Sequence, residues 1–150
     1  MILKKNKFMS YTSKDYKKGK INIIEKMNKL CTSIEQSQKL IELGIDVNTA
    51  DMLWTYDFTV NDINGLNVIS NHLKPEENDV PAWTLTALLR LMPTDDKKDE
   101  YYVDTESHSD YHIVSYKNCW DGCIHSEDSE ESLLDAAYEM IVWLKENKKL

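Results

Sequence analysis

Residues 107–127, SHSDYHIVSYKNCWDGCIHSE, hold three of the chain's four histidines and two of its three cysteines. Zinc takes three or four such side chains, each donor atom about 2.0–2.3 Å from the ion. The spacing Cys119-x3-Cys123 suits paired ligands, as does His108-x3-His112, and His125 follows Cys123 by two residues. The same segment reads as a β-hairpin, and hairpin register decides which side chains share a face. A two-residue turn at Asp121-Gly122 sets Trp120 opposite Cys123 and Cys119 opposite Ile124, sending the cysteines to opposite faces. A turn at Lys117-Asn118 sets Cys123 opposite His112 and lets Cys119, Cys123, His112 and His125 converge. A wider KNCWDG loop sets Cys123 opposite Tyr116 and keeps His125 and His112 on that face, but leaves Cys119 in the loop. Only the second register assembles four ligands. The expectation is a hairpin with half-buried thiols, with no metal, cofactor or catalytic residue assigned.

A Cys–His nucleophile is the enzymatic form of the same cluster. Cys123 and His125 lie about 7 Å apart along a strand. Nothing nearby lowers the thiol pKa, and the acids that begin the last helix raise it. The chain carries no phosphate-loop, dinucleotide or helical metalloprotease motif. The carboxylate pairs Asp51/Asp57, Asp95/Asp96 and Asp99/Glu100 read as solvated surface. Large rings are the remaining chemistry. Trp54 and Trp143 fall on inward faces, whereas Trp83 at a helix start and Trp120 near a hairpin tip are harder to bury. The candidate binding residues are therefore Trp83 and Trp120, with Tyr116, His112 and His125 from the hairpin face.

Several elements must position these side chains. Thr32-x-x-Glu35 is a capping box, and Ser33-x-x-Gln36 repeats it one residue later. Leu30, Ile34, Ser37 and Ile41, joined by Leu40 and Leu43, predict a helix that Gly44 stops. Residues 51–58 alternate as a strand, with Met52, Trp54, Tyr56 and Phe58 on the apolar side. The asparagine-rich span 59–80 reads as loop, with a helical turn around Leu66–Leu73. Residues 81–93 read as a short helix fenced by prolines, Pro81 in its first turn and Pro93 at its end. YYVDT and YHIVSY are two short strands around a polar turn. The last segment places Leu133, Ala137, Met140, Ile141 and Leu144 on one stripe of an amphipathic helix. Asp128 with Glu131, or Ser129 alone, is its expected cap. Together these predict an α+β fold, a small antiparallel sheet of three to four strands covered by three helices.

At 150 residues the prior is one domain, assigned to residues 27–150, with 1–26 a lysine-rich peripheral or flexible extension. Residues 1–30 hold nine lysines against Asp15 and Glu25, and the remainder holds nine basic groups against twenty-four acids. Arg90 is the lone arginine, and an acidic body without arginine forks argues against sequence-specific nucleic-acid binding. No apolar run reaches membrane-spanning length, and MILKKNKF lacks the apolar stretch of a signal peptide, so a cytoplasmic location is expected. An odd cysteine count does not suggest a disulfide framework.

Three segments together, KLCTSIEQSQKLIELGIDVNTADM (29–52), VPAWTLTALLRLMP (80–93) and SLLDAAYEMIVWLKENKKL (132–150), resemble a group of small uncharacterised α+β proteins of phages and mobile elements from gut bacteria. The resemblance covers residues 27–150 and implies a mobile-element context; it transfers no catalytic residue. The resulting expectation is a non-enzymatic accessory protein that binds a host protein or a small-molecule ligand, with counter-defence as one such role. The rival is a small metal- or thiol-dependent hydrolase using the 112–125 hairpin face. Homo-oligomerisation is left open.

Overall fold

Ser33, the second of the two capping candidates, opens helix α1 (Ile34–Glu42). Its hydroxyl accepts the Gln36 N–H at 3.2 Å while Gln36 Oε1 accepts the Ser33 N–H at 2.9 Å. Thr32 is thereby free for another task. A computed structural model describes residues 30–70, 73–93, 100–120 and 122–150, and the lysine-rich head and most of the TDDKKDE linker lie outside them. Gly44, at φ +79°, ends α1 as expected, and a 3₁₀ turn (Val47–Thr49) leads into the first sheet. The stripe of α1 is narrower than predicted. Ser37 and Leu40 are buried, while Ile41 and the preceding Leu30 face outward.

The strands are β1 (Met52–Asp57), β2 (Asp62–Val68), β3 (Val80–Ala82), β4 (Tyr101–Ser107), β5 (His112–Asn118) and β6 (Gly122–Ser129). They form two three-stranded antiparallel sheets, ordered β2-β1-β3 and β4-β5-β6, where one sheet was expected. Helices α2 (Leu85–Leu91) and α3 (Leu133–Glu146) complete the α+β architecture. The second sheet was legible as a meander, because β4, β5 and β6 are joined by short polar turns. The first was not, because β2 reads DINGLNV, a run poor in strand formers. The span expected as loop with a helical turn is thus the edge strand of a hairpin, closed by Asn61 at φ 53° and by Asp57 accepting the Thr59 N–H at 2.8 Å.

Pro81 does not begin a helix. It lies in β3 opposite Leu53, and α2 starts after Thr84, whose side chain accepts the Ala87 N–H. Asp51 holds that cap, accepting the Thr84 N–H at 2.9 Å and the Thr84 hydroxyl at 2.5 Å. Helix α3 is capped by Ser132, not by Asp128 or Ser129, because β6 runs to Ser129 and its hydroxyl serves the N–H groups of Glu131 and Ser132. The stripe of α3 matches its prediction at Ala137, Met140, Ile141 and Leu144, with Leu134 taking the buried place expected of Leu133.

One core cluster draws Leu40, Leu88, Met92, Val114, Tyr116, Met140, Ile141 and Leu144 from α1, α2, β5 and α3. A smaller cluster holds Cys31, Trp54 and Ala82. Thr32 stands beside both. Its N–H donates to Trp83 O at 2.9 Å, its carbonyl accepts Trp54 Nε1 at 3.0 Å, and its hydroxyl accepts the Trp83 N–H at 3.0 Å and meets Ser37 Oγ at 2.7 Å. All of these groups are buried. Removing the Thr32 hydroxyl strands a buried N–H and a buried hydroxyl, which costs about 2–3 kcal/mol. Thr32→Val should lower stability by that amount in urea unfolding, and Thr32→Ser should recover most of it. A valine variant within about 0.5 kcal/mol of the parent, the range of neutral surface changes, would contradict this role.

Candidate functional site

None of the three registers considered for the 107–127 hairpin is adopted. Asn118 pairs with Gly122 across the connection Cys119-Trp120-Asp121, and Gly122 takes φ +80°, a left-handed conformation that glycine adopts without strain. The register then shifts between Tyr116 and Lys117, so that Cys123 pairs with Lys117 and His125 with Tyr116, leaving Ile124 as the extra residue of a bulge. Cross-strand partners share a face and the adjacent Lys117 and Tyr116 lie on opposite ones, so Cys123 and His125 point to opposite sides of the sheet. His112 pairs with Ser129 at the other end of the strand, about 13 Å from the His125 row at the usual strand rise. Its Nδ1 lies 2.6 Å from Ser107 Oγ on an exposed hairpin end. Among the described residues no three His, Cys, Asp or Glu side chains are grouped so as to hold a metal ion. The hairpin therefore gives the metal or thiol hydrolase no assembled donor set or nucleophile pair.

The five candidate binding residues separate into four environments, His112 standing alone at the far hairpin end beside Ser107. Trp83 is fully buried between β3 and α2, and its Nε1 donates to Thr49 Oγ1 at 2.9 Å. The expectation that it sits exposed at a helix start fails because the helix begins two residues later. Tyr116 and His125 lie on the inward face of the second sheet against α3. The rings of His125 and Trp143 stack at 4.1 Å and 4°, Tyr116 follows at 5.6 Å from Trp143, and Tyr101 stacks on Tyr116 at 5.7 Å. His125 Nε2 meets Glu127 Oε1 at 2.5 Å. Trp143 and Tyr101 were not singled out from sequence as partners of this row, although the alternation in YYVDT places Tyr101 and Val103 on one face. Burial raises the Glu139 carboxyl pKa, with further contributions from Glu127, Asp135 and Glu146. Four carboxylates, Glu127, Asp135, Glu139 and Glu146, therefore lie near one another where α3 meets β6.

Trp120 is the exception, 80% exposed at the hairpin tip. Its backbone is nevertheless fixed. The Trp120 N–H donates to Asn118 Oδ1 at 3.1 Å, and the neighbouring Cys119 N–H donates to Glu100 O at 3.2 Å. Cys119 Sγ points at the same carbonyl, while Cys123 Sγ points to His125 O, so the two exposed thiols diverge. A large amphipathic ring is thus presented to solvent from a turn whose backbone is hydrogen-bonded at Cys119 and Trp120. On another part of the chain, a cleft of about 410 Å³ opens between Val47, Ala50, Ile69 and Pro75, with Lys74 at its rim.

Comparison of the chain with known family models, curated proteins and solved structures finds no match. Among the described residues no helix is long and apolar enough to cross a membrane.

Cys31 is buried, and burial with Asp51 nearby pushes its thiol pKa up to about 12. In a thiol-labelling assay Cys119 and Cys123 should react in the native protein, and Cys31 only on unfolding. Three fast thiols would contradict the sealed position of Cys31. At Glu139 the raised carboxyl pKa means that the folded state favours the protonated form, so its contribution to stability is lost as pH rises through that titration. Glu139 is largely exposed, so solvent screens the effect, and Glu139→Gln should raise the unfolding midpoint only slightly at pH 7. The gain should vanish below the ordinary glutamate value of 4.5. A pH-independent gain would point to packing instead.

Proposed function

We propose that this chain is a non-enzymatic, cytoplasmic binding protein of a phage or mobile element, and that it engages a host protein through the tip of the β5–β6 hairpin. The observation that carries the reading is Trp120, a tryptophan 80% exposed on a turn held by Asn118 and Glu100. Tryptophan is enriched among residues that dominate binding energy, and a fixed backbone lowers the entropy cost of docking it. Two further features favour binding over catalysis. The reactive side chains of the hairpin are dispersed over both faces and both ends, and His125 is engaged by Trp143 and Glu127. The acidic composition favours a cationic partner surface over nucleic acid. The mobile-element context rests on the three resembling segments.

The test is cross-linking capture from a gut-bacterial host lysate, followed by affinity measurement on the recovered partner with the parent and with Trp120→Ala. The variant should bind at least tenfold more weakly, about 1.4 kcal/mol or more, with its unfolding midpoint unchanged because the ring supports no packing. Equal affinity of the two proteins would remove Trp120 from the contact. Native mass spectrometry of the purified chain supplies the other arm, since a co-purified small molecule would redirect the reading to a ligand.

A further inference from the structure

Strand β6 forms one edge of the second sheet, and among the described residues no strand pairs with its outer side. At eight residues it is also the longest edge strand described. An unpaired edge offers a row of backbone donors and acceptors to any extended chain. The opposite edge, β4, is partly occupied, since Pro93 O accepts the Val103 N–H at 2.9 Å. The edge of β2 is interrupted by a bulge opposite Thr55 and Tyr56.

The charge on β6 selects what can pair there. Glu127 and Asp128 lie within the strand, and Glu130 and Glu131 follow it, with Asp128, Glu130 and Glu131 exposed. No lysine or arginine lies between Lys117 and Lys145. Two copies of this edge would bring like charges face to face, which opposes self-pairing. An extended segment rich in lysine meets the opposite condition. The Ile124 bulge breaks the edge near the hairpin tip, so regular pairing is confined to about the last four or five residues of the strand. Asp135, Glu139 and Glu146 on the flanking α3 extend the same negative field.

We propose that β6 is a docking edge for an extended, lysine-rich segment of a partner protein, which adds as a fourth strand. Main-chain hydrogen bonds supply the pairing, and Asp128, Glu130 and Glu131 read the cationic side chains. This deepens the binding reading given above and rests on it, placing a second contact on the hairpin that carries Trp120.

The test uses the full chain and a ten-residue peptide alternating lysine with valine, alongside its fully N-methylated form, which keeps every charge but has no backbone donors. Calorimetry should show binding by the plain peptide that weakens as salt rises. Binding should fall at least tenfold for the N-methylated peptide and at least tenfold for the triple variant Asp128→Asn, Glu130→Gln, Glu131→Gln. Amide exchange should slow along β6 when the plain peptide is present. Equal binding of both peptides would reduce the contact to simple charge attraction and overturn the strand-addition proposal, as would the absence of binding. A partner captured through Trp120 with no peptide effect on β6 would leave the binding reading standing and this proposal refuted.

Discussion

The buried hydrogen bonds of Thr32 set the geometry on which the rest of the molecule depends. One residue serves α1 through Ser37, β1 through the Trp54 indole, and the β3–α2 junction through both backbone groups of Trp83. Each of these groups is cut off from water, so each must find its partner within the protein or lose the desolvation energy. The node therefore does more than bond. It fixes where two tryptophans insert, and these are the largest fully buried side chains described. Gln36 extends the same constraint outward. Its Oε1 closes the cap of α1 while its Nε2 donates to Asp135, which accepts from Ser132 at the cap of α3. At the other ends Lys145 reaches Gly44 O at 3.5 Å. The two helices are thus matched N-terminus to N-terminus and C-terminus to C-terminus.

Most of the helices could be read in the sequence because their signals are local. Caps, a glycine stop and a 3.6-residue period act within a few residues of one another. Thr32 and Ser33 both carry a cap signal, and tertiary demand separates them, since only the one not needed for the cap can serve Trp83. The misread segments share a different cause. Strand β2 is poor in strand-forming residues, with only Ile63 and Val68, and is held by its pairing with β1, while β3 is three residues long and contains a proline. Pairing of this kind is set by the neighbouring chain and leaves little trace in a window of its own residues. The burial of Trp83 follows from it. A strand hidden before the helix moved the helix start and turned a surface position into a core one.

The hairpin shows the same limit at the scale of one residue. Its composition suggested chemistry, and each register considered assumed that pairing stays regular on both sides of the turn. The Ile124 bulge breaks that assumption by advancing β6 a single position, and alternation then sends Cys123 and His125 to opposite faces. Bulges answer to sheet twist and to the side chains packed beneath, here the stack of His125 on Trp143. That stack draws one histidine against the helix, and Ser107 engages another at the far end of β5. Exposure at Trp120 was legible because a hairpin tip offers no cover, whatever the register.

The distribution of charge gives the second sheet its direction. Its outer face carries the Asp104–Lys117 ion pair at 2.7 Å, which lowers the aspartate pKa and raises that of the lysine. That pair is internally neutral and asks for no partner. The β6 edge is different, since among the described residues the only cationic contact on its acids is with His125, which counts only when protonated. Negative edges keep sheets from joining to copies of themselves, and the same charge lowers the barrier to a partner of opposite sign. An exposed aromatic tip and an acidic edge lie on one strand pair. In the binding role proposed above the tip supplies apolar area and the edge discrimination, and His125, stacked on Trp143, and Asn118, bonded to the Trp120 N–H, hold the hairpin that presents both.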